Sequence, residues 1–194
     1  MDEKREHGLK EKKNASRLRY LRRKSWLDRG IAFVLLWILT PYLLGMWAVL
    51  KISGEGRLAL MPSVGKDGAL FLRLCFVPVE RTAEEYRLRG EETGYFARLH
   101  RAGLVSLPSL FNVLWGDMSL VGPVPVSPSA HRRIRERERA GVLTLRPGMV
   151  SLGGQSSPRA EVYERLYLKG CGLRMDCFVL SSAYKRIMQR HREG

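Results

Sequence analysis

The longest run of hydrophobic positions in the chain covers residues 31–50, IAFVLLWILTPYLLGMWAVL, and contains no charged residue. Twenty apolar residues are enough for a helix to cross the hydrocarbon core of a bilayer. Thirty mostly polar residues precede the run and no small-residue cleavage site follows it, which is not the layout of a signal peptide. The pattern therefore predicts a membrane-embedded helix over residues 26–52, between a basic segment (1–25) and a domain formed by residues 53–194.

Thr40 and Pro41 lie in the middle of this run. Proline removes a helical hydrogen bond and clashes with the preceding turn, so it kinks a helix, and a neighbouring threonine hydroxyl can satisfy a freed carbonyl group. Two topologies therefore stay open for the membrane break at these residues. The helix either re-enters the same face of the membrane or spans it once with a tolerated proline.

The rest of the chain alternates short apolar segments with breaks rich in glycine and proline. Strand and helix periodicity is found in four segments: a strand over 68–77, and helices over 95–115 (interrupted at Gly103 and Pro108), 158–169 and 173–191. Three stretches are predicted to form loops and turns: 54–68, 116–126 and 146–155. Together they predict an α+β fold that is mostly helical, with amphipathic and short helices and a few short strands after the membrane helix.

The chain carries 34 Lys+Arg against 19 Asp+Glu, a formal net charge of +15. Such a surplus favours a polyanionic partner, either nucleic acid or an anionic membrane surface. The sequence has no nucleic-acid recognition motif, so we expect membrane lipid and no nucleic acid. Residues 1–29 contribute +6 and the rest +9. Because basic segments favour the cytoplasmic side, a re-entrant helix would reconcile both flanks, although this rule weakens for a long domain.

The cysteines and histidines indicate no metal centre. Cys75, Cys171 and Cys177 form no CxxC pair, and the four histidines lack metal-ligand spacing. An odd and scattered set of cysteines is typical of a reducing compartment. We therefore expect neither a zinc site nor a disulfide framework.

Residues 107–123, LPSLFNVLWGDMSLVGP, carry the most specific pattern in the chain. They resemble the signature of the bacterial sugar transferases (monotopic phosphoglycosyl transferases), D-E-L-P-Q-L-W-N-V-L-x-G-D-M-S-L-V-G-P-R-P, and the match is unbroken from Gly116 to Pro123. Further family segments follow in order between residues 22 and 185. They are K-R-x-x-D at Lys24 to Asp28, a Ser-Pro break at Thr40-Pro41, V-G-K-D-G at 64–68, the late P-G-x-T-G loop at Arg146-Pro147-Gly148, and a C-terminal segment with Tyr167 and Asp176.

This resemblance implies a membrane-embedded enzyme of polysaccharide or glycoconjugate biosynthesis, on the cytoplasmic face of the bacterial inner membrane. Such an enzyme transfers sugar-1-phosphate from a nucleotide sugar to polyprenol phosphate with Mg²⁺ as cofactor. The resemblance also favours the re-entrant topology. Four residues of this chain are the candidates for a substrate pocket: Asp117, Ser119, Arg146 and Gln155.

The departures from the family pattern fall on its chemical positions. The family's nucleophile is the aspartate of an Asp-Glu pair, and those two positions are Val105 and Ser106 here. Valine has no nucleophilic atom, and the serine has no evident base nearby. The family's K-F-R-T-M is CFVPV at residues 75–79, and the arginine after V-G-P is Val124. The catalytic residues are therefore unknown, and Mg²⁺ binding is in question.

Three hypotheses follow. The favoured one is a degenerate, non-catalytic family member that binds lipid-linked intermediates or serves as partner or regulatory subunit of an active sugar transferase. The second is an active phosphoglycosyl transferase that uses a nucleotide sugar and a non-standard nucleophile, Asp117 or Ser106. The third is a basic protein that binds the membrane surface.

Overall fold

The structure, a computed structural model, describes residues 2–79, 94–130, 135–136, 141–152 and 160–192. Its first element, α1, runs from Asp2 to Ser53, so the basic segment and the apolar run belong to one helix that continues through Pro41. The hydroxyl of Thr40 donates to the carbonyl of Leu36 at 2.5 Å. Since Pro41 lacks an N–H, the carbonyl it leaves without a helical donor is that of Trp37, one residue further on.

Two antiparallel strands follow α1 at once. β1 (Gly56–Val64) pairs with β2 (Leu70–Pro78) in a register that runs from Gly56–Pro78 to Val64–Leu70, and a short 3-10 turn connects them. The predicted strand over 68–77 is confirmed as β2. The prediction of a loop-rich stretch over 54–68 is wrong, because RLALMPSV forms β1 by pairing along the whole of β2.

The segment from residue 94 confirms helices broken at a glycine. α2 covers Tyr95–Arg101, a 3-10 helix covers Leu104–Ser109, and α3 covers Leu110–Trp115. Gly103 lies between the first two with φ 73°, a left-handed conformation that glycine adopts without strain. The predicted C-terminal helices are confirmed as α4 (Ala160–Gly170) and α5 (Leu173–Arg192).

Two short parallel strands join the halves of the domain. β3 (Ser119–Val121) pairs with β4 (Gly148–Val150), and a 3-10 turn covers Val142–Thr144. The sequence predicts only turns and loops over 116–126 and 146–155, so these strands correct that prediction. Their pairing depends on Gly122 and Gly148. The backbones at these two glycines approach so closely that a Cβ on either one would overlap the backbone of the other.

The core consists of two clusters of buried apolar residues. The first joins α1 to β2, α2 and α3, and includes Ala32, Leu36, Leu43, Met46, Leu50, Phe76, Leu99, Leu110, Val113 and Met118. The second joins β3 to α4 and α5, and includes Val121, Leu145, Leu152, Tyr167 and Val179. The predicted architecture of a mostly helical α+β protein with one long apolar N-terminal helix is confirmed.

The outer face of α1 carries a large exposed apolar surface. Within the part of the chain that the structure describes, Arg19–Ser53 is the one helix long and apolar enough to cross a membrane. Trp37 is 80% exposed and Ile52 87% exposed. The buried stripe of the helix is interrupted between Leu36 and Leu43, where only one residue is even half-buried. The segment around Pro41 therefore projects from the domain.

Candidate functional site

A buried ionic cluster fastens α1 to the C-terminal helices. The ammonium group of Lys24 lies 2.6 Å from a carboxylate oxygen of Asp176, and donates at 2.7 Å both to the Tyr167 hydroxyl and to the carbonyl of Val121. The Tyr167 hydroxyl donates to Asp176 at 2.6 Å, and the Tyr20 hydroxyl donates to its other oxygen at 2.6 Å. We call Tyr20, Lys24, Tyr167 and Asp176 the Lys24 cluster.

The Lys24 cluster is buried, and its environment keeps the Tyr167 phenol protonated. Lys24 is 7% exposed and Asp176 8% exposed, so each charge depends on the other and on the two hydroxyl groups. Burial, followed by the charge of Asp176, raises the pKa of the Tyr167 phenol far above its ordinary value. The phenol therefore keeps its proton and acts as a hydrogen-bond donor to the carboxylate.

Asp28 makes a second buried connection, one helical turn beyond Lys24. Its carboxylate accepts a short hydrogen bond from the Ser119 hydroxyl and a longer one, at 3.3 Å, from the backbone N–H of Leu120. Tyr20, Lys24 and Asp28 recur every four residues, so one face of α1 carries all three. The pocket candidate Ser119, the first residue of β3, is thus buried against α1.

Asn112 holds α3 against the free edge of β2. Its side-chain amide donates to the carbonyl of Leu72 at 2.7 Å and accepts from the N–H of Leu74 at 2.8 Å. The hydroxyl of Ser109 donates to the carbonyl of Leu74 at 2.8 Å. These bonds satisfy backbone groups that an edge strand otherwise leaves unpaired. Within the Asn112-Val113-Leu114 match to the family, the asparagine therefore has a structural role.

The turn after α3 is built from the Asn112 carbonyl and Gly116. That carbonyl accepts from the N–H groups of Gly116, Asp117 and Met118, which caps the helix end. Gly116 has φ 93°, and a Cβ there would overlap the guanidinium of Arg29. Arg29 also donates to the carbonyl of Trp115 at 3.4 Å. The side chain of Asp117 is exposed at this turn.

The two positions of the family's Asp-Glu pair lie in the 3-10 helix Leu104–Ser109. Val105 packs against the first apolar cluster, which contains the buried face of α1. Ser106 is half-buried. An isolated carboxylate at position 105 would lose hydration against this apolar surface. Position 105 therefore contributes to packing, and its side chain has no atom that could attack a phosphate.

The former cation positions hold buried side chains without a charge. Cys75 is 4% exposed and Val124 is 5% exposed. Burial raises the pKa of the Cys75 thiol, so the group stays neutral at this position. A pocket beside β3 is lined by Gly122, Pro123, Val124, Ser151, Leu152, Tyr163, Glu164 and Tyr167. Its charged lining residue is a carboxylate, Glu164, which would repel a phosphate group.

Arg146, a further pocket candidate, lies close to Ser119, because the N–H of Ser119 donates to the carbonyl of Pro147 at 2.9 Å. Arg146 donates a short hydrogen bond to the hydroxyl of Ser25 on α1. Gln155 lies outside the described residues. Among the residues that the structure describes, no three His, Cys, Asp or Glu side chains lie close enough together to hold a metal ion. Valine and serine at positions 105 and 106 supply no carboxylate to a metal ion.

Two residues of this region, Tyr20 and Arg29, are not among the residues predicted from the sequence. Tyr20 lies four positions before Lys24, and that helical spacing is the signal that could have placed both on one face. Arg29 follows the K-R-x-x-D segment and contacts the turn at Gly116, far away in sequence. No local sequence pattern predicts that contact, because it depends on how α1 packs against α3.

A long apolar helix fastened through Lys24 and Asp28 to the GDMSLVGP segment defines the class of this protein. The chain belongs to the bacterial sugar transferase family, whose profile matches residues 19–190. The match includes the Lys24 cluster, Asn112 and the whole of β3 and β4. The residues that organise the fold therefore lie within the region that matches the family.

Two curated relatives are similar to the same region. One is an uncharacterized sugar transferase of Haemophilus influenzae, 28% identical over 195 positions that cover 86% of this chain and 41% of the relative. The other is the undecaprenyl-phosphate galactose phosphotransferase of Salmonella typhimurium, 28% identical over 204 positions that cover 89% of this chain and 41% of the relative. The chain thus spans about two fifths of the length of these relatives.

Proposed function

We propose that this protein is a membrane-bound member of the sugar transferase family that no longer catalyses sugar-phosphate transfer, and that it acts as a partner or regulatory subunit in polysaccharide or glycoconjugate biosynthesis. The observation that carries the proposal is the packing of Val105 into the apolar cluster at the position of the family's nucleophile. The transfer reaction needs a nucleophile and stabilisation of developing phosphate charge. Neither is supported at positions 105, 106, 75 and 124.

The site also lacks the electrostatics for a nucleotide sugar. A diphosphate is bound by cations, backbone N–H groups or a metal ion. Cys75 and Val124 are neutral and buried where the family has a lysine and an arginine, and the pocket beside Val124 contains Glu164. A lipid-linked sugar held by its polyprenol chain remains compatible with the apolar surface of α1. The proposed ligands are therefore lipids, polyprenol phosphate among them.

Turnover is tested with the full chain in phosphatidylglycerol-containing vesicles. Polyprenol phosphate, Mg²⁺ and a panel of nucleotide sugars are supplied, and release of nucleoside monophosphate is measured beside the Salmonella relative as a positive control. We expect no release above that of the Val105→Arg variant. Release above that level would overturn the proposal and support an active enzyme.

One residue gives the active-enzyme alternative a concrete form. Asp117 has an exposed side chain beside the Gly116 turn, so it is the carboxylate of this segment that a substrate could reach. If turnover is found and Asp117 is the nucleophile, Asp117→Asn should abolish it. If the hydroxyl of Ser106 is the nucleophile, Ser106→Ala should abolish it instead. Both variants leave buried hydrogen bonds at Asn112 and Asp28 untouched.

A rescue variant tests whether more than the nucleophile has been lost. We expect Val105→Asp combined with Ser106→Glu to remain inactive, because the phosphate-binding positions 75 and 124 stay apolar. Adding Cys75→Lys and Val124→Arg to that variant would then be required for any activity. Activity in the double variant alone would show that the remaining pocket still binds nucleotide sugar.

A re-entrant arrangement of α1 on the cytoplasmic face of the inner membrane belongs to the same proposal. The buried stripe of α1 packs against one domain both before Pro41, at Leu36, and after it, at Leu43. The N-terminal arm is fastened by the Lys24 cluster. Two residues after α1 ends, the carboxylate of Glu55 accepts from the N–H of Phe96 at 2.9 Å and fixes the end of the C-terminal arm. Both arms are therefore compatible with the same side of a bilayer.

The topology is tested by cysteine labelling in intact spheroplasts. Cysteines are introduced by Arg5→Cys or Arg190→Cys in a chain that also carries Cys171→Ser and Cys177→Ser, so that the remaining native cysteine is the buried Cys75. Both introduced cysteines should be shielded from an impermeant reagent until the membrane is permeabilised. Labelling at one position only would indicate a true span and contradict the re-entrant arrangement.

The partner role is tested by affinity capture from native membranes in mild detergent. We expect an active sugar transferase to co-purify with the full chain. Capture with a chain carrying Lys24→Met serves as a control for non-specific adhesion of the apolar helix. Recovery of no sugar transferase would count against the regulatory role.

A further inference from the structure

The last helix, α5, has an apolar stripe that the domain does not cover. Leu173, Cys177, Leu180, Tyr184 and Met188 recur at intervals of four, three, four and four residues, and all are exposed. This spacing places the five on one face. The helix buries a different face through Asp176 and Val179 in the Lys24 cluster and the second core cluster. The exposed stripe is therefore additional to the packing that holds α5 in the fold.

The charges of α5 favour an anionic surface beside that stripe. Residues 185–192, KRIMQRHR, contain four Lys+Arg and no acid. The acidic residue of the whole helix is Asp176, which is 8% exposed and bound to Lys24. A second copy of α5 would therefore bring like charges together with no carboxylate to balance them. An apolar stripe with basic flanks is typical of a helix that lies in the headgroup region of anionic lipid.

The point at which α5 is attached to α1 also places α5 near the headgroup region. Asp176 is fastened to α1 at Tyr20 and Lys24. Lys24 precedes Ile31, where the apolar run begins, by seven residues, which is about 10 Å along a helix. Trp26 lies between them and is 70% exposed, and tryptophan is enriched at membrane interfaces. The N-terminal end of α5 is thus held close to the level at which α1 enters the proposed membrane.

We propose that α5 is a second membrane contact of this protein, a helix that lies in the interface of an anionic leaflet with its Leu173–Met188 stripe turned toward the acyl chains. This inference rests on the membrane attachment proposed for α1. It adds a contact that α1 alone does not require, and it gives the basic C-terminal residues a partner, the headgroups of anionic lipid.

Cys177 allows a direct test, since it is exposed within the stripe whereas Cys75 is buried. An environment-sensitive fluorophore is attached to Cys177 in the full chain carrying Cys171→Ser, in vesicles of phosphatidylglycerol and phosphatidylcholine. The matched control carries the label at position 178 through Phe178→Cys, with Cys171→Ser and Cys177→Ser. Position 178 is also exposed, but it lies about 120° around the helix from the centre of the stripe.

We expect iodide to quench the label at position 177 about threefold less than the label at position 178, and acyl-chain spin labels to quench it more. The difference should shrink in pure phosphatidylcholine. Leu180→Ser with Tyr184→Ser, both exposed positions, should raise iodide quenching at position 177 toward the control.

Three results would overturn the proposal. If the protein floats with the vesicles but iodide quenches the labels at positions 177 and 178 equally, the chain is attached to the membrane while α5 remains in water. Concentration-dependent energy transfer between labels at position 177, with shielding that persists in detergent, would assign the stripe to a second copy of the chain. A chain that does not float with the vesicles would overturn the membrane attachment of α1 together with this inference.

Discussion

Replacing Lys24 by methionine removes the one cation that the structure places in the Lys24 cluster while keeping the length of the side chain. The ammonium group contacts Asp176, the Tyr167 hydroxyl and the carbonyl of Val121, all within 2.7 Å. The substitution leaves a buried carboxylate and a backbone carbonyl without that donor. Because these groups join α1 to β3, α4 and α5, the loss weakens the attachment of the long helix to the whole C-terminal half.

The expected destabilisation follows from what stays behind. Breaking a buried ion pair by removing one partner costs about 3–5 kcal/mol. Here Asp176 keeps two hydroxyl donors, from Tyr20 and Tyr167, each at 2.6 Å. Hydrogen bonds to a charged group are strong, so they compensate part of the lost cation. We therefore expect a loss of about 3 kcal/mol in the free energy of unfolding, which lowers Tm by about 6–12 °C in a domain of this size.

The measurement is calorimetric unfolding of the full chain in one detergent, for Lys24→Met and for Arg23→Met as the matched control. Arg23 is the neighbouring cation on α1 and is exposed, so its replacement should change the stability by less than about 0.5 kcal/mol. The loss for Lys24→Met should persist in high salt, because a buried pair is screened little. A Tm for Lys24→Met within one degree of the Arg23→Met control would refute the reasoning.

Two further substitutions test how α3 and the turn that follows it are held. Asn112→Ala leaves the carbonyl of Leu72 and the N–H of Leu74 without their side-chain partners, so we expect a loss of about 2–4 kcal/mol by the same calorimetry; an unchanged Tm would contradict it. Gly116→Ala must adopt positive φ and overlap the Arg29 guanidinium, so it should cost about 2 kcal/mol or more, and a smaller amount in an Arg29→Ala background. Equal costs in both backgrounds would show that Arg29 does not contribute.

The sequence predicts the helices well and the strands poorly, for a physical reason. α4 and α5 have helical periodicity of their own, and α2 and α3 are bounded by Gly103 and Gly116. β1, in contrast, is flanked by glycines and contains Pro62, which are features of loops. It becomes a strand because β2 supplies a partner for every residue from 56 to 64. That information lies in the pairing between segments and not in either segment.

The contacts within the candidate site are even harder to predict from the sequence than the strands. Lys24, Asp28, Tyr167 and Asp176 are each recognisable from the family resemblance, but nothing in the sequence indicates that Lys24 contacts Asp176, 152 positions further along. The sequence also suggests Ser119 as a pocket residue, and the structure places its hydroxyl against Asp28. Such a contact depends on how α1 packs across β3, and only the assembled fold brings the two residues together.

The retained GDMSLVGP segment separates the demands of the fold from those of the chemistry. Gly116 supplies a left-handed turn, Ser119 binds Asp28, and Gly122 lets β3 approach Gly148. Each would be required for folding whether or not the protein transfers a sugar phosphate. Val105 and Val124, in contrast, stand where the family has charged residues; Val105 packs against the first apolar cluster, and Val124 is buried. Under the proposed function, a chain that keeps the first set and lacks the second folds as a sugar transferase and lacks the reaction.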